Sequence, residues 1–317
     1  MRSTSAFRKE ELEMGGSGGS WASNYDINRA RDQAEEAAEK ERRLSEINDF
    51  LAEQLMAFND RDSETVRSRL DEISEILQDL MDGGVDRLLF GGSVAKHTYV
   101  DGLSDIDALV VLRNSDAETA EQLVADFSRH LNQRLPANLV SEVTPGRLAV
   151  TVKYADGLEV QLLPAVERSG KVSIASEDGS SWRDINPRRF AEKLTKVNQE
   201  NANGVVPAIK LAKGVLEKKL PESQRLGGYH LEAIAVDAFK RYHGSKSREA
   251  MLTHLVDHAA KAVMRPIGDI TGQSVHVDNY LGAAGSPERR RISAALKRIH
   301  TTLGSADLAE YKDIFRD

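Results

Sequence analysis

The 317-residue chain carries 43 basic and 50 acidic residues, a formal net charge of −7, and no cysteine. The acidic balance argues against tight sequence-independent binding of long DNA or RNA, which rests on an extended basic surface. The missing thiols exclude disulfides, thiolate metal sites and a cysteine nucleophile. No window approaches the roughly 20 apolar residues of a membrane helix, and the polar first residues do not make a secretion signal; no membrane association and a cytoplasmic location are expected.

Residues 1–25 are polar and pass through Gly15-Gly16-Ser17-Gly18-Gly19-Ser20, a flexible segment by composition. From residue 26 to 59 the pattern is helical, with Leu44, Ile47, Leu51 and Leu55 at helical spacing. Residues 63–80 read as a second helix carrying Val66, Leu70, Ile73, Leu77 and Leu80 as one stripe. A short apolar strand over 85–90 then runs into Gly91-Gly92, and Ser93 opens a short helix. Backbone N–H groups there would cradle the β- and γ-phosphates of a nucleotide, with the Ser93 hydroxyl as a further donor.

Residues 105–112 read as the next strand, a β-branched apolar run that begins Asp105-Ile106-Asp107. Period two puts both carboxylates on one face, about 6.5 Å apart along the backbone, so that their side chains converge on the same cations. Carboxylates suit hard ions, and Mg²⁺ or Mn²⁺ in such a site serves phosphoryl transfer. A Gly-Gly-Ser alone is ordinarily a turn, and an Asp-x-Asp alone is ordinarily a solvated strand end. Strand, Gly-Gly-Ser, short helix, turn and carboxylate strand in that order are far more specific.

A helix is expected over 117–131, then a hairpin in which Leu148, Val150, Val152 and Tyr154 alternate on one strand and Leu158, Val160 and Leu162 on the other, about an Asp156-Gly157 turn. Glu159 and Gln161 then face the other way, toward the expected cleft. Beyond Asn186-Pro187 the pattern is helical. Val206, Ile209, Ala212 and Leu216 form one stripe, and Leu231, Ile234, Ala235 and Ala238 another, enough apolar surface for a second lobe. Lys210 and Lys213 are neighbours on the first of these helices. Tyr229 suits either base stacking or the filling of an interlobe core, and His230 a structural hydrogen bond. His254 and His258 lack a third ligand, and zinc is not expected. Ser286-Pro287 opens a last long helix, with Arg289 to Arg291 at its start as candidates for an anion or partner contact.

These motifs resemble the nucleotidyltransferase superfamily. Within it the chain is most similar to the bacterial cGAS/DncV-like nucleotidyltransferases of CBASS anti-phage systems, and it also resembles the 2′-5′-oligoadenylate synthetases. The resemblance covers residues 63–280, most strongly in GGSVAKHTYVDGLSDIDALVVL, VTVKYADGLEVQLLPAVE, EKLTKVNQENANGVVPAIKLAK, GGYHLEAIAVDAF and DITGQSVHVDNYLG. It implies an α+β, two-lobed fold: a flexible segment over 1–25, N-terminal helices and a mixed-sheet catalytic lobe over 26–185, and a helical lobe over 186–317. It also implies that the helix over 63–80 spans both lobes.

By the same resemblance Asp105 and Asp107 are the catalytic metal ligands, and Gly91, Gly92 and Ser93 hold the terminal phosphates. A lysine of the first interlobe helix meets the triphosphate, Lys210 as first choice and Lys213 as second. Asn198 lies near the nucleotide or caps a helix, Tyr229 lies at the base, and Asp269 belongs to a loop closing the acceptor side. One departure stands out: the family's third acidic position is Gln161, whose amide oxygen can bind a metal but supplies no charge and accepts no proton as a base. The implied activity joins nucleoside triphosphates, with loss of pyrophosphate, into a cyclic di- or oligonucleotide messenger for anti-phage signalling. Its implied partners are a nucleotide-responsive effector and an activating protein. Two alternatives stay open: a linear oligonucleotide synthetase or polymerase-like enzyme, and a catalytically degenerate nucleotide-binding or complex-forming protein.

Overall fold

A computed structural model describes residues 20–59, 63–80, 85–90, 92–100, 106–113, 119–176, 181–268 and 278–316. The chain divides into two compact units, Met1–Ser45 and Glu46–Asp317. Helix α1 (Ser20–Ala57) starts six residues before the predicted helix, so the end of the segment expected to be flexible is helical; residues 1–19 lie outside the described residues. Within the second unit, two separate cores correspond to a sheet lobe and a helical lobe.

The sheet lobe is built on strands β1 (Val85–Phe90), β2 (Ile106–Arg113), β3 (Val140–Pro145), β4 (Val150–Tyr154), β5 (Glu159–Arg168), β6 (Lys171–Ala175) and β7 (Trp182–Ile185). Their order is β1-β2-β5-β4-β3, with β6 on β5 and β7 on β6. Only β2 and β5 run parallel, and their register sets Asp107 opposite Gln161. Period two then sorts the side chains. Ile106, Ala108, Val110, Leu112, Val160 and Leu162 pack beneath α2 (Ser63–Leu80) and α4 (Ala120–Arg134), while Leu109, Val111 and Ala165 lie on the face that carries Asp107 and Gln161. Thr119 and Gln122 close a capping box that starts α4.

α2 contributes Val66, Leu70, Ile73, Ile76 and Leu77 to the sheet-lobe core alone, and so does not join the lobes as the family resemblance implies. Instead Ile47 and Leu51 of α1 sit in the helical core, although sequence pattern groups them with the catalytic lobe. That core is completed by α5 (Arg189–Glu200), α6 (Val205–Lys219), α7 (Gly228–Phe239), α8 (Arg248–Ala262), α9 (Pro287–Ser305) and α10 (Leu308–Phe315). Among the described residues, no helix is long and apolar enough to cross a membrane.

Candidate active site

β1 ends at Phe90 and α3 (Gly92–Ala95) follows two residues on. Gly92 has φ +47°, and a Cβ there would stand 1.5 Å from an Asp107 carboxylate oxygen. Only glycine satisfies both conditions, the positive φ and a carboxylate lying where a side chain would be. The Ser93 hydroxyl is buried and has no hydrogen-bond partner among the described residues. Gly91 and Asp105, the other halves of the two motifs, lie outside the described residues, as does Asp269.

Gly92, Ser93 and Asp107 open onto a cavity of about 440 Å³ between the lobes, whose far wall is formed by Lys213 and Leu216 of α6 and by Gly228, Tyr229 and Glu232 of α7. Lys96, on the turn after α3, completes the floor. Glu232 is only 1% exposed and holds the floor together. Lys96 forms an ion pair with it, the Thr98 hydroxyl donates to it, and the Lys213 ammonium lies 3.2 Å from the same carboxylate and 2.9 Å from the Thr98 carbonyl. Burial pushes the Lys213 ammonium below its ordinary pKa; Glu232 and, from across the cleft, Asp107 oppose that shift. Lys96 also sits 4.7 Å above the Phe190 ring and 5.0 Å above the Tyr229 ring, which pack together at 4.6 Å. One buried and one half-buried cation, one carboxylate and an aromatic shelf thus face the Asp107 carboxylate. Such a surface suits a ligand with a polyanionic end and a flat, stackable end.

The structure therefore brings together Gly92, Ser93, Asp107, Lys213 and Tyr229. Lys210 is not on the cavity wall; its ammonium donates to the Asn59 amide oxygen near the end of α1. Three residues along a helix leave the two side chains about 60° apart on its surface, and of the two only Lys213 lies over the cavity. Gln161 stands beside Asp107 in the sheet and opposite Thr151, half-buried on the cleft face. Glu159, on the same face, is 2.5 Å from Lys153. Asn198 accepts from the Val206 N–H at the start of α6 and donates to Asn203, which is the capping role. Arg289 is fully buried in an ion pair with Asp278, so it presents no charge to an outside anion.

Sequence reasoning missed Lys96, Glu232, Phe190 and Arg225. Arg225 borders the cavity, bonded to the Glu217 carboxylate at 2.8 Å and to the Glu217 and Leu220 carbonyls. Lys96 was visible as the first cation after Gly-Gly-Ser, but nothing local marks it as buried. For a divalent metal, the described donors are the Asp107 carboxylate and, beside it, the Gln161 amide; among the described residues no three His, Cys, Asp or Glu side chains cluster. Sparse oxygen donors next to a polyanion pocket fit Mg²⁺, which keeps several waters and takes substrate phosphates as ligands.

Residues 43–198 match the family model described as the Second Messenger Oligonucleotide or Dinucleotide Synthetase domain. The chain is 32% identical over 111 residues to a cyclic AMP-AMP-AMP synthase of Escherichia coli (strain MS 115-1); the match covers 33% of this chain and about a third, 34%, of that relative. Among solved structures, E. coli MS115-1 CdnC with ATP shares the fold at a TM-score of 0.59 and 18% identity, over 80% of this chain and 87% of CdnC. Vibrio cholerae DncV cyclic AMP-GMP synthase with a nonhydrolysable GTP aligns at 0.57 and 14% identity, over 90% and 88% of the two chains. Residues 43–198 thus resemble a second-messenger synthetase domain, and the solved structures share the chain's two-lobed sheet and helix fold.

Proposed function

We propose that this cleft binds nucleoside triphosphates and links them into a cyclic di- or oligonucleotide messenger of an anti-phage system. The carrying observation is the convergence of Asp107, the unpartnered Ser93 hydroxyl and the Lys96–Glu232–Lys213 group on one cavity. A triphosphate laid along α3 takes the Ser93 hydroxyl and the Lys213 ammonium as charge-assisted donors, and its base reaches the Tyr229 ring. The ribose hydroxyl oxygen of a second nucleotide attacks the α-phosphorus. A phosphoester bond forms as the bond to the β-phosphate oxygen breaks; pyrophosphate leaves with the electron pair, and the hydroxyl proton passes to solvent. A second transfer closes the ring.

Mg²⁺ or Mn²⁺ would be held by Asp107 and the Gln161 amide oxygen, with Asp105 as the expected second carboxylate, and would stabilise the charge that develops on the leaving pyrophosphate. The chain's own residues fix the triphosphate and screen it from water. The low charge demand of a single nucleotide tail accords with a net-acidic protein. The product acts on a nucleotide-responsive effector, and an activating protein partner regulates the cleft.

Gln161 supports one competing reading, a nucleotide-binding protein without turnover, because it brings no carboxylate to the metal-binding face. The two separate cleanly on Asp107→Asn. An active synthase loses pyrophosphate release by at least about 100-fold in this variant with its circular dichroism unchanged; a binding-only protein releases none in either form. Equal release by both forms removes Asp107 from the site.

A further inference from the structure

α7 carries much of the cleft wall, yet its start is poorly fixed by its own sequence. Its first helical residue and the residue before it are both glycines, and no side chain caps it. Two successive glycines leave the backbone free to adopt many orientations, although Tyr229 and Glu232 must point into the cavity from the first turn. Something outside the helix has to hold it.

That hold comes from the short 3₁₀ turn Asn279–Leu281. The Tyr280 hydroxyl accepts from the Gly227 N–H at 3.1 Å and lies 2.9 Å from His230 Nδ1. His230 Nε2 lies 3.7 Å from the Asp278 carboxylate, a charge contact beyond hydrogen-bond distance; the Tyr280 hydroxyl, already accepting from Gly227, has its own O–H to donate to Nδ1. Asp278 is itself locked: it pairs with Arg289 at 2.7 Å and accepts from the Ile267 N–H at 3.1 Å. Arg289 in turn donates to the carbonyls of Val263, Arg265 and Gly282. The hydrogen bonds on either side of the His230–Asp278 charge contact are directional, and the relay ends at the N-terminus of α7, where a side chain on Gly228 would come within 3.7 Å of the Lys213 ammonium.

We propose that Tyr280 is a positioning residue for nucleotide binding: its hydroxyl, aimed by His230 and the Asp278–Arg289 pair, fixes the glycine-rich start of α7 and so sets Tyr229 and Glu232 in the cleft. It does not touch the reacting atoms. The inference rests on the nucleotide-binding reading of the cleft and adds to it a residue outside the cavity lining.

The test is Tyr280→Phe, which keeps the ring and removes only the hydroxyl. Titration calorimetry with a nonhydrolysable ATP analogue and Mg²⁺ is expected to give a Kd about 5- to 10-fold higher than wild type, the equivalent of one neutral hydrogen bond. Hydrogen exchange on the free protein supplies the readout that general destabilisation would not mimic. Peptides covering residues 226–232 should exchange faster, while those covering residues 292–303 of α9 keep wild-type protection. A wild-type protein that binds the analogue and a variant that binds it equally well overturn the role of Tyr280 while leaving the cleft intact. Uniformly faster exchange in both segments overturns it too, by making the hydroxyl a general stabiliser. A wild-type protein that binds no nucleotide overturns the cleft reading itself, and this inference with it.

Discussion

At the scale of single residues, the cleft is defined by what each side chain can reach. Lys213 and Lys210 are chemically identical and three positions apart, and the sequence resemblance ranks Lys210 first. Among the described residues Lys213 shares Glu232 with Lys96 and lines the cavity, whereas Lys210 donates to Asn59 and is absent from the cavity lining. Lys213→Ala is therefore expected to weaken binding of a nonhydrolysable NTP by about 10- to 100-fold, the loss of a charge-assisted hydrogen bond. Lys210→Ala should change it by less than about threefold. Calorimetric titration of the two variants decides the order, and the reverse ranking would place the triphosphate on the other face of α6.

At the scale of elements, the α7 start and the turn around Tyr280 make one pH-sensitive unit. His230 is 2% exposed, and burial lowers its pKa to about 4, with Asp278 opposing the shift and Arg289 adding to it. The neutral ring belongs to the folded state and the unfolded chain binds the proton more readily. His230 therefore costs no stability above about pH 6.5 and removes up to about 3 kcal/mol as the pH falls from 6.5 to 4. Urea unfolding between pH 7 and pH 4 should show a shallower loss in His230→Gln, a side chain that offers an acceptor and a donor but does not titrate. Parallel curves for the two proteins would mean that the ring does not stay neutral.

The same scale explains what was legible in advance. α2 is read to the residue because the stripe from Val66 to Leu77 buries one continuous face, and β1 because its apolar residues pack on both sides of the sheet, Val85 and Leu88 on one cluster and Leu89 on the other. β3 was missed because it is a largely exposed edge, with only Val140 and Val143 half-buried, and so shows no clean alternation. β6 and β7 are short, and their place is set by pairing onto the far end of β5, which no local pattern reveals. In the site, Gly92, Ser93 and Asp107 were visible because a turn and an Asp-x-Asp strand start are local, and Gln161 because the family resemblance marks its position. The Lys96–Glu232–Phe190 floor was not: Thr98 and Glu232 meet across 134 positions of chain, and a lysine that will be buried looks in sequence like any other lysine.

At the scale of the whole molecule, two cores have to hold one cavity between them. The sheet lobe contributes Asp107 and the turn bearing Ser93 and Lys96; the helical lobe contributes Lys213, Tyr229 and Glu232. Glu232 crosses the gap, taking an ion pair and a hydroxyl donor from one side and a second ammonium from the other. Leaving either lysine buried without this carboxylate is costly, so the cleft is preorganised with its cations already held in place before a triphosphate arrives. Preorganised charge of this kind favours the charge that develops on a leaving pyrophosphate. If turnover does not need a carboxylate at the third acidic position, Gln161→Ala should lower the rate of pyrophosphate release without abolishing it; complete loss would show the amide to be an essential ligand.

The central claim is that this cleft closes nucleotides into a ring, and one measurement bears on it most directly. The purified protein is incubated with the four NTPs and Mg²⁺ or Mn²⁺, treated with phosphatase and a nuclease that cuts linear oligonucleotides, and analysed by mass spectrometry. The account predicts a surviving product whose mass is a whole number of nucleoside monophosphates less one water each, made by wild type, reduced but still present in Gln161→Ala, and absent in Asp107→Asn. Release of pyrophosphate with only nuclease-sensitive linear products would contradict ring closure, and a protein that forms product only as Gln161→Asp would contradict an active wild-type enzyme.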